Sequence, residues 1–538
     1  MLRLARLAAA AASAALLTAC ALLPAADPIP FDRRPVPERD PGSALPAGWQ
    51  HGAFMEIFVR AWRDSDGDGI GDLRGLTASL PYLQELGIKG IWLMPITRSA
   101  DHDHGYAVTD FRGLEPAYGT LADFDALIRE AHARGIGVIM DYVINHAARE
   151  HPAFRDAAAS AGSAQRDWFL WQPEAPAGWD VWGKNPWYPA GGHHYYATFG
   201  PHMPDFNLRD PAALAYHHDS LRFWLNRGLD GFRFDAVPHL IENSAKDWND
   251  QPESAALMRG IRALMDQHYP GRWLVCEATA SPQRWAGRDA CGSAFAFGLE
   301  HPIIDAARGK LEALAQVAAY FTSAPPTMAT MLSNHDIFAG KRLRDQLGGD
   351  DAAYRLAAAT YLLLPGTPFI YYGEEIGMAG VAALQADEPL RTPMSWTADA
   401  ATGGGFTRPG VKPFRPASDN VATHNVAAQQ ADPASLLAHY KTLLALRNTL
   451  PSIAQGRYEA PQVNGLVVAF QRATDAERTL VLINYGKSAA TIRVDGLGAN
   501  ARFASEYPAG GARAQADADG RLHFALGPQS WRVLRKER

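Results

Sequence analysis

Gly231-Phe-Arg-Phe-Asp-Ala-Val237 alternates aromatic and charged side chains and then presents a carboxylate. A period of two belongs to a strand, so Arg233 and Asp235 share one face while Phe232 and Phe234 take the other. Phenylalanines packed outward against helices, with an Arg–Asp pair pointing inward, fit a strand of a β/α barrel. Such a barrel keeps its chemistry at the C-terminal ends of its strands. Two further apolar runs lead into acids, Trp273-Leu-Val-Cys-Glu277 and Met331-Leu-Ser-Asn-His-Asp336. Eight strand-like runs centre on 56–59, 90–94, 137–141, 231–235, 274–277, 294–297, 329–333 and 369–372. Amphipathic helical stretches such as 121–134 and 211–225 lie between several of them. The alternation predicts an α/β fold, a parallel (β/α)8 TIM barrel.

The acids carry the chemical reading. A guanidinium next to Asp235 favours its ionised form and depresses its pKa, which suits a nucleophile; the same pair also fits a structural ion pair. Glu277 follows Leu274, Val275 and Cys276, whose apolar surroundings raise a carboxyl pKa, as a proton donor needs; a helix cap is the other reading. Two carboxyl groups facing each other across a sugar are what cleavage of a glycosidic bond requires. A separate acidic loop, Asp64-Ser-Asp-Gly-Asp-Gly-Ile-Gly-Asp72, sets carboxylates at alternating positions around glycines. Hard oxygens on a tight turn suit calcium. An EF-hand would need Glu where Gly75 stands, and the loop also fits a solvated acidic turn.

The 538 residues carry a net charge of −6, which gives no electrostatic case for nucleic acid. No phosphate-cradling Gly-rich loop and no zinc-type Cys/His spacing occurs. At the N-terminus, Arg3 and Arg6 precede an Ala/Leu run and Leu17-Thr-Ala-Cys20. This predicts an export signal over residues 1–20, and the tetrapeptide resembles a bacterial lipobox with Cys20 lipidated; cleavage as an ordinary signal peptide is the alternative. The expected location is the cell envelope, on the periplasmic face or the outer membrane if the organism has one, with membrane contact only through that anchor. Residues 21–49 contain seven prolines and read as an extended tether. Export leaves a disulfide between Cys276 and Cys291 open, although Cys276 sits on an expected buried strand.

Taken in order, these segments resemble glycoside hydrolase family 13, the α-amylase family, over roughly residues 50–538. Asp141-Tyr-Val-Ile-Asn-His146 matches its first signature segment, Gly231–His239 the second, Glu277 the third and Ser333-Asn-His-Asp336 the fourth. Gly366–Glu375 resembles its eighth-strand segment. The resemblance implies Asp235 as nucleophile, Glu277 as acid/base and Asp336 as transition-state stabiliser. Arg233, His146, His239 and His335 would hold the sugar, with Tyr106 as stacking platform and Asp103 near the position that grips a nonreducing end in exo-acting relatives. It also implies a structural calcium, or magnesium, on the side chains of Asp64, Asp66, Asp68 and Asp72 and the carbonyl of Ile70. The barrel would span 50–146 and 210–451, with a small domain B at 147–209 and a C-terminal antiparallel β-sandwich at 452–538. Domain B holds Trp168, Trp171, Trp179, Trp182, Trp187 and Tyr188, which either line sugar subsites or pack a small core.

Met203-Pro-Asp-Phe-Asn207 looks intermediate between the oligo-1,6-glucosidase and neopullulanase forms of the fifth segment, as in lipoprotein-type amylases. The small Ala236 beside the nucleophile goes with α-1,4 bonds in that branch. The expected activity is retaining hydrolysis of α-1,4-glucans or maltooligosaccharides by a monomer. The alternatives are an exo-acting α-glucosidase and a transglycosidase such as trehalose synthase, which has a similar Asp235-Ala-Val-Pro238 stretch.

Overall fold

Eight parallel strands close into a barrel in a computed structural model that describes residues 31–537. They are β1 (Phe54–Ile57), β2 (Gly90–Leu93), β3 (Gly137–Tyr142), β4 (Gly231–Phe234), β5 (Trp273–Cys276), β6 (Ala294–Phe295), β7 (Met328–Thr330) and β8 (Thr367–Tyr371). Each pairs with its sequence neighbour and β8 pairs with β1, the order of a singly wound barrel. All eight overlap the apolar runs read from the sequence, with boundaries shifted at the ends, two of which matter for the site. Val59 begins a short helix, Val59–Trp62, instead of ending β1. β7 stops at Thr330, so Asp336 stands on the loop beyond it.

The barrel interior is filled rather than open. Phe54, Trp92, Ile139, Val275, Phe295, Ala329, Met331 and Phe369 form one buried cluster, closed at one end by Trp49. The fit is tight: a Cβ on Gly137 would stand 2.2 Å from the Trp49 ring. Helices complete the outer layer by ordinary sequence rules. Leu121–His132, for example, starts at a capping box in which Thr120 and Asp123 bond reciprocally.

Two excursions at the strand ends shape the cleft. The chain between β3 and β4 holds a helix (Pro152–Ala159) and a three-stranded sheet with His193–Tyr196 between Trp171–Gln172 and Trp187–Ala190. The other excursion was not anticipated: an antiparallel hairpin, Thr97–Ser99 with Val108–Leu114, follows β2 and carries Asp103 and Tyr106 in its loop. At the C-terminus a six-stranded antiparallel sheet and a two-stranded one enclose their own apolar cluster. This unit packs on barrel helices, with Arg472 donating to Leu363 O at 2.9 Å and Tyr458 to Ala318 O at 3.0 Å.

Residues 31–49 differ from a free tether. They lack regular structure up to the short 3-10 helix that begins at Trp49, but lie along the barrel wall. Phe31 packs on His151, Trp168 and Tyr216, and the Val36 amide bonds to Asp219. Asp40 pairs with the buried Arg272 at 2.7 Å. Cys20 and the export signal lie outside the described residues. No helix among the described residues is long and apolar enough to cross a membrane.

Candidate active site

The site is organised around one buried guanidinium. Arg233 Nη1 donates to Asp235 Oδ1 at 2.6 Å and to both oxygens of Asp141 at 2.9 and 3.1 Å. Its Nη2 lies 3.0 Å from Glu277 Oε2. The period-two pattern of β4 puts Arg233 and Asp235 on the same inward face, and the parallel register sets Val275 of β5 beside Arg233. Glu277, two residues beyond Val275, therefore meets the same guanidinium.

Asp235, Glu277 and Asp336 line one cavity of about 300 Å³, together with His104, Tyr106, His146, Phe199, Met203, Ala236, Phe338, Asp387 and Arg391. Arg233, His335, Asp103 and His239 were expected to touch a ligand, but none of them lines the cavity. Arg233 lies beneath the carboxylates and holds three of them. Both ring nitrogens of His335 are committed: Nδ1 to Glu56 at 2.6 Å, and Nε2 shared between Tyr106 at 2.7 Å and Asp336 at 3.1 Å. Asp103 is tied to Arg415 at 2.9 Å. His239 stacks on Trp248, and its carbonyl accepts from Asn145. His146 lines the wall with Nδ1 on Asn145 and Nε2 without a partner among the described residues. Tyr106 is fixed at the cavity by Asp141 and by stacking on His335.

The electrostatics separate the acids. Burial, reinforced by Asp235 and Asp336 against the pull of Arg233, pushes Glu277 up to about 7. It therefore carries a proton near neutrality, and it lies close enough to steady the Asp235 carboxylate with it. Asp336 moves the other way: burial is overcome by His335 and Arg391, which hold it well below the usual carboxylate range. Burial alone would strip His335 of its proton, yet Asp336 and Glu56 push it up to about 10, so it is an imidazolium. Burial keeps His146 neutral, down to about 3. For Asp235 the depression expected from Arg233 is corrected. Burial raises it above its ordinary value, and Asp141 competes for the same guanidinium.

Sequence reasoning missed several participants. Asp141 and Glu56 end or interrupt apolar strands, a visible signal of a buried acid with a task. Arg391, which donates to Asp336 Oδ1 at 2.7 Å, and Asp387 come from an irregular segment that offered no periodic clue. Cys276 and Cys291 form a disulfide that ties the end of β5, next to Glu277, to the turn before β6.

The acidic loop has the chemistry of a cation site. Carboxylate oxygens of Asp64, Asp66 and Asp72 lie within 4.8 Å of one another, and Asp68 stands outside this set with its carboxylate on the Ile70 amide. Asp66 pairs with Arg74, whereas the buried Asp64 and Asp72 have no cationic partner among the described residues; backbone amides, Ser65 and Thr407 satisfy them. That hard oxygen donor set, with only Asp66 paired to a cation among the described residues, fits calcium or magnesium. A structural ion bound at 100 times its Kd would add about 2.7 kcal/mol of stability. Chelation should therefore lower the melting temperature of the wild type and leave Asp64→Asn unmoved. A purified protein free of metal, with a melting curve indifferent to calcium and chelator, excludes the ion.

Comparison with known proteins agrees with this geometry. The family model described as "Alpha amylase, catalytic domain" matches residues 56–456. A trehalose synthase/amylase of Mycobacterium tuberculosis is 34% identical over 503 residues, covering 82% of this chain and 83% of its own. Alpha-amylase 3 of Dictyoglomus thermophilum is 34% identical over 450 residues, covering 82% and 85%. The crystal structure of an α-amylase from H. orenii superposes with a TM-score of 0.77 at 32% identity, covering 91% of this chain and all of that one.

Proposed function

The chain belongs to the α-amylase family of glycoside hydrolases, enzymes acting on glucosidic bonds, and from that premise we propose that it hydrolyses α-1,4 bonds of maltooligosaccharides with retention of configuration. The observation that carries this reading is the single guanidinium shared by Asp235 and Glu277, one carboxyl held against its charge and the other protonated near neutrality.

In this reading Glu277 gives its proton to the bridging oxygen as Asp235 attacks the anomeric carbon. The carbon–oxygen bond breaks and a glycosyl ester forms on Asp235. Glu277, now a carboxylate, takes a proton from water, whose oxygen displaces Asp235 and regenerates both acids. Asp336, kept ionised by His335 and Arg391, offsets the positive charge that develops on the ring and accepts from sugar hydroxyls. Tyr106 offers a ring face to the same sugar, and His146 offers Nε2 to a hydroxyl. A lipid anchor at Cys20 and a place in the intermediary, lipoprotein-type group complete the proposal, on the N-terminal motif and the Met203–Asn207 segment.

The similarity to a trehalose synthase/amylase favours a second reading, transfer of the glucosyl unit to a sugar acceptor instead of water. The ion pair between Asp103 and Arg415 weighs against an exo-acting grip by Asp103, since that pair must open first. The test is the product series over time on maltoheptaose. Mixed short oligosaccharides of retained anomeric form are expected. Glucose alone at early times would replace hydrolysis within the chain by exo action. Longer chains or trehalose would replace hydrolysis by transfer.

A further inference from the structure

Trp182 stands where the backbone favours a smaller residue. It sits at the tip of a two-residue hairpin turn closed by Val181 N to Lys184 O at 2.8 Å and Lys184 N to Val181 O at 3.1 Å. Both central residues have positive φ, 50° for Trp182 and 82° for Gly183. Asn or Gly is the residue that such a turn favours, and a bulky side chain there is strained. Nor does burial compensate, because Trp182 is 59% exposed, the most exposed large hydrophobic residue among those described. The other tryptophans of the same excursion behave as packing. Trp168 and Trp187 are buried, Trp171 stacks on Phe154, and Trp179 lies edge-on to Trp187 and Tyr196.

What Trp182 touches gives it a direction. Its ring lies 5.5 Å from Phe199, which lines the cavity of the three acids, and it meets the edges of His239 and Trp248 at 5.3 and 5.6 Å. His239 and Trp248 are themselves stacked, a braced base beneath an exposed face. An aromatic wall thus runs outward from the cavity and ends in an open indole.

We infer that Trp182 is a stacking platform for a glucosyl unit of the substrate beyond the one being cleaved, so that it sets the preference for longer chains. The apolar face of a pyranose matches an open indole, and strain held at the turn is the cost of displaying it. This inference rests on the proposed action on maltooligosaccharides.

The test compares kcat/KM on maltoheptaose and maltotriose for the wild type, Trp182→Asn and Trp182→Tyr. Asn suits the turn, so that variant folds at least as well as the wild type. In Trp182→Asn the ratio of the two kcat/KM values, long over short, should fall about ten-fold, equivalent to about 1.4 kcal/mol. Trp182→Tyr should recover part of it. An unchanged ratio in Trp182→Asn, or a tyrosine variant no better than asparagine, overturns the platform. A wild type inactive on both sugars would instead overturn the substrate reading beneath it.

Discussion

Asp235→Asn should lower kcat on maltoheptaose by on the order of 10⁴- to 10⁶-fold, the range seen when a nucleophile is removed from an otherwise intact site. The amide cannot form the ester, yet it keeps the shape of the side chain and a carbonyl oxygen for Arg233. Folding should survive, and the melting temperature should hold or rise. The reason is charge: Asp141, Asp235 and Glu277 crowd around one guanidinium, and removing one negative charge relieves the repulsion that Asp141 now exerts. Glu277 should titrate lower in this variant, because the Asp235 charge is one of the causes of its elevation. Activity within a hundred-fold of wild type, in protein free of contaminating wild-type enzyme, would remove Asp235 from the covalent step.

Glu277→Ala should cost about 10²- to 10⁴-fold on maltooligosaccharides, the usual contribution of a positioned acid. The loss should shrink for an aryl α-glucoside whose leaving group needs no proton. Azide should then accelerate turnover and yield a glucosyl azide of retained configuration, because a small anion can enter the space left by the side chain and needs no general base. The pH dependence gives an independent check. The wild-type rate requires Glu277 protonated, so it falls as pH rises through about 7. It also requires Asp235 ionised, so it falls on the acid side as that buried carboxylate gains its proton. The azide-rescued variant should lose the alkaline limb and keep the acid one. An alkaline limb that persists in Glu277→Ala would assign the proton to another group.

The fold was legible because barrel strands are buried on both faces and stand out as short apolar runs, even where they shrink to two residues, as at Ala294–Phe295. The three acids were legible for the same reason, since a carboxylate that follows such a run has few innocent explanations. What sequence could not supply was the count of charges around a shared partner. Arg233 beside Asp235 suggested a depressed pKa, and burial, joined by Asp141 on the same guanidinium, reverses the sign. Arg391 and Asp387 were invisible because an irregular loop brings them in. The tryptophans of the 147–209 segment were indistinguishable as letters, since burial and turn geometry alone separate Trp168 from Trp182.

The strap at 31–49 carries a consequence for how the molecule comes together. Its partners lie far downstream: the Val36 amide bonds 183 residues ahead, Arg39 187, and Asp40 meets an arginine 232 residues on. The strap cannot complete its contacts until the chain as far as Arg272 has followed it, so it seats late. A truncation that starts at residue 50 therefore takes away a late latch and the Trp49 stopper, and leaves the barrel's base open to water.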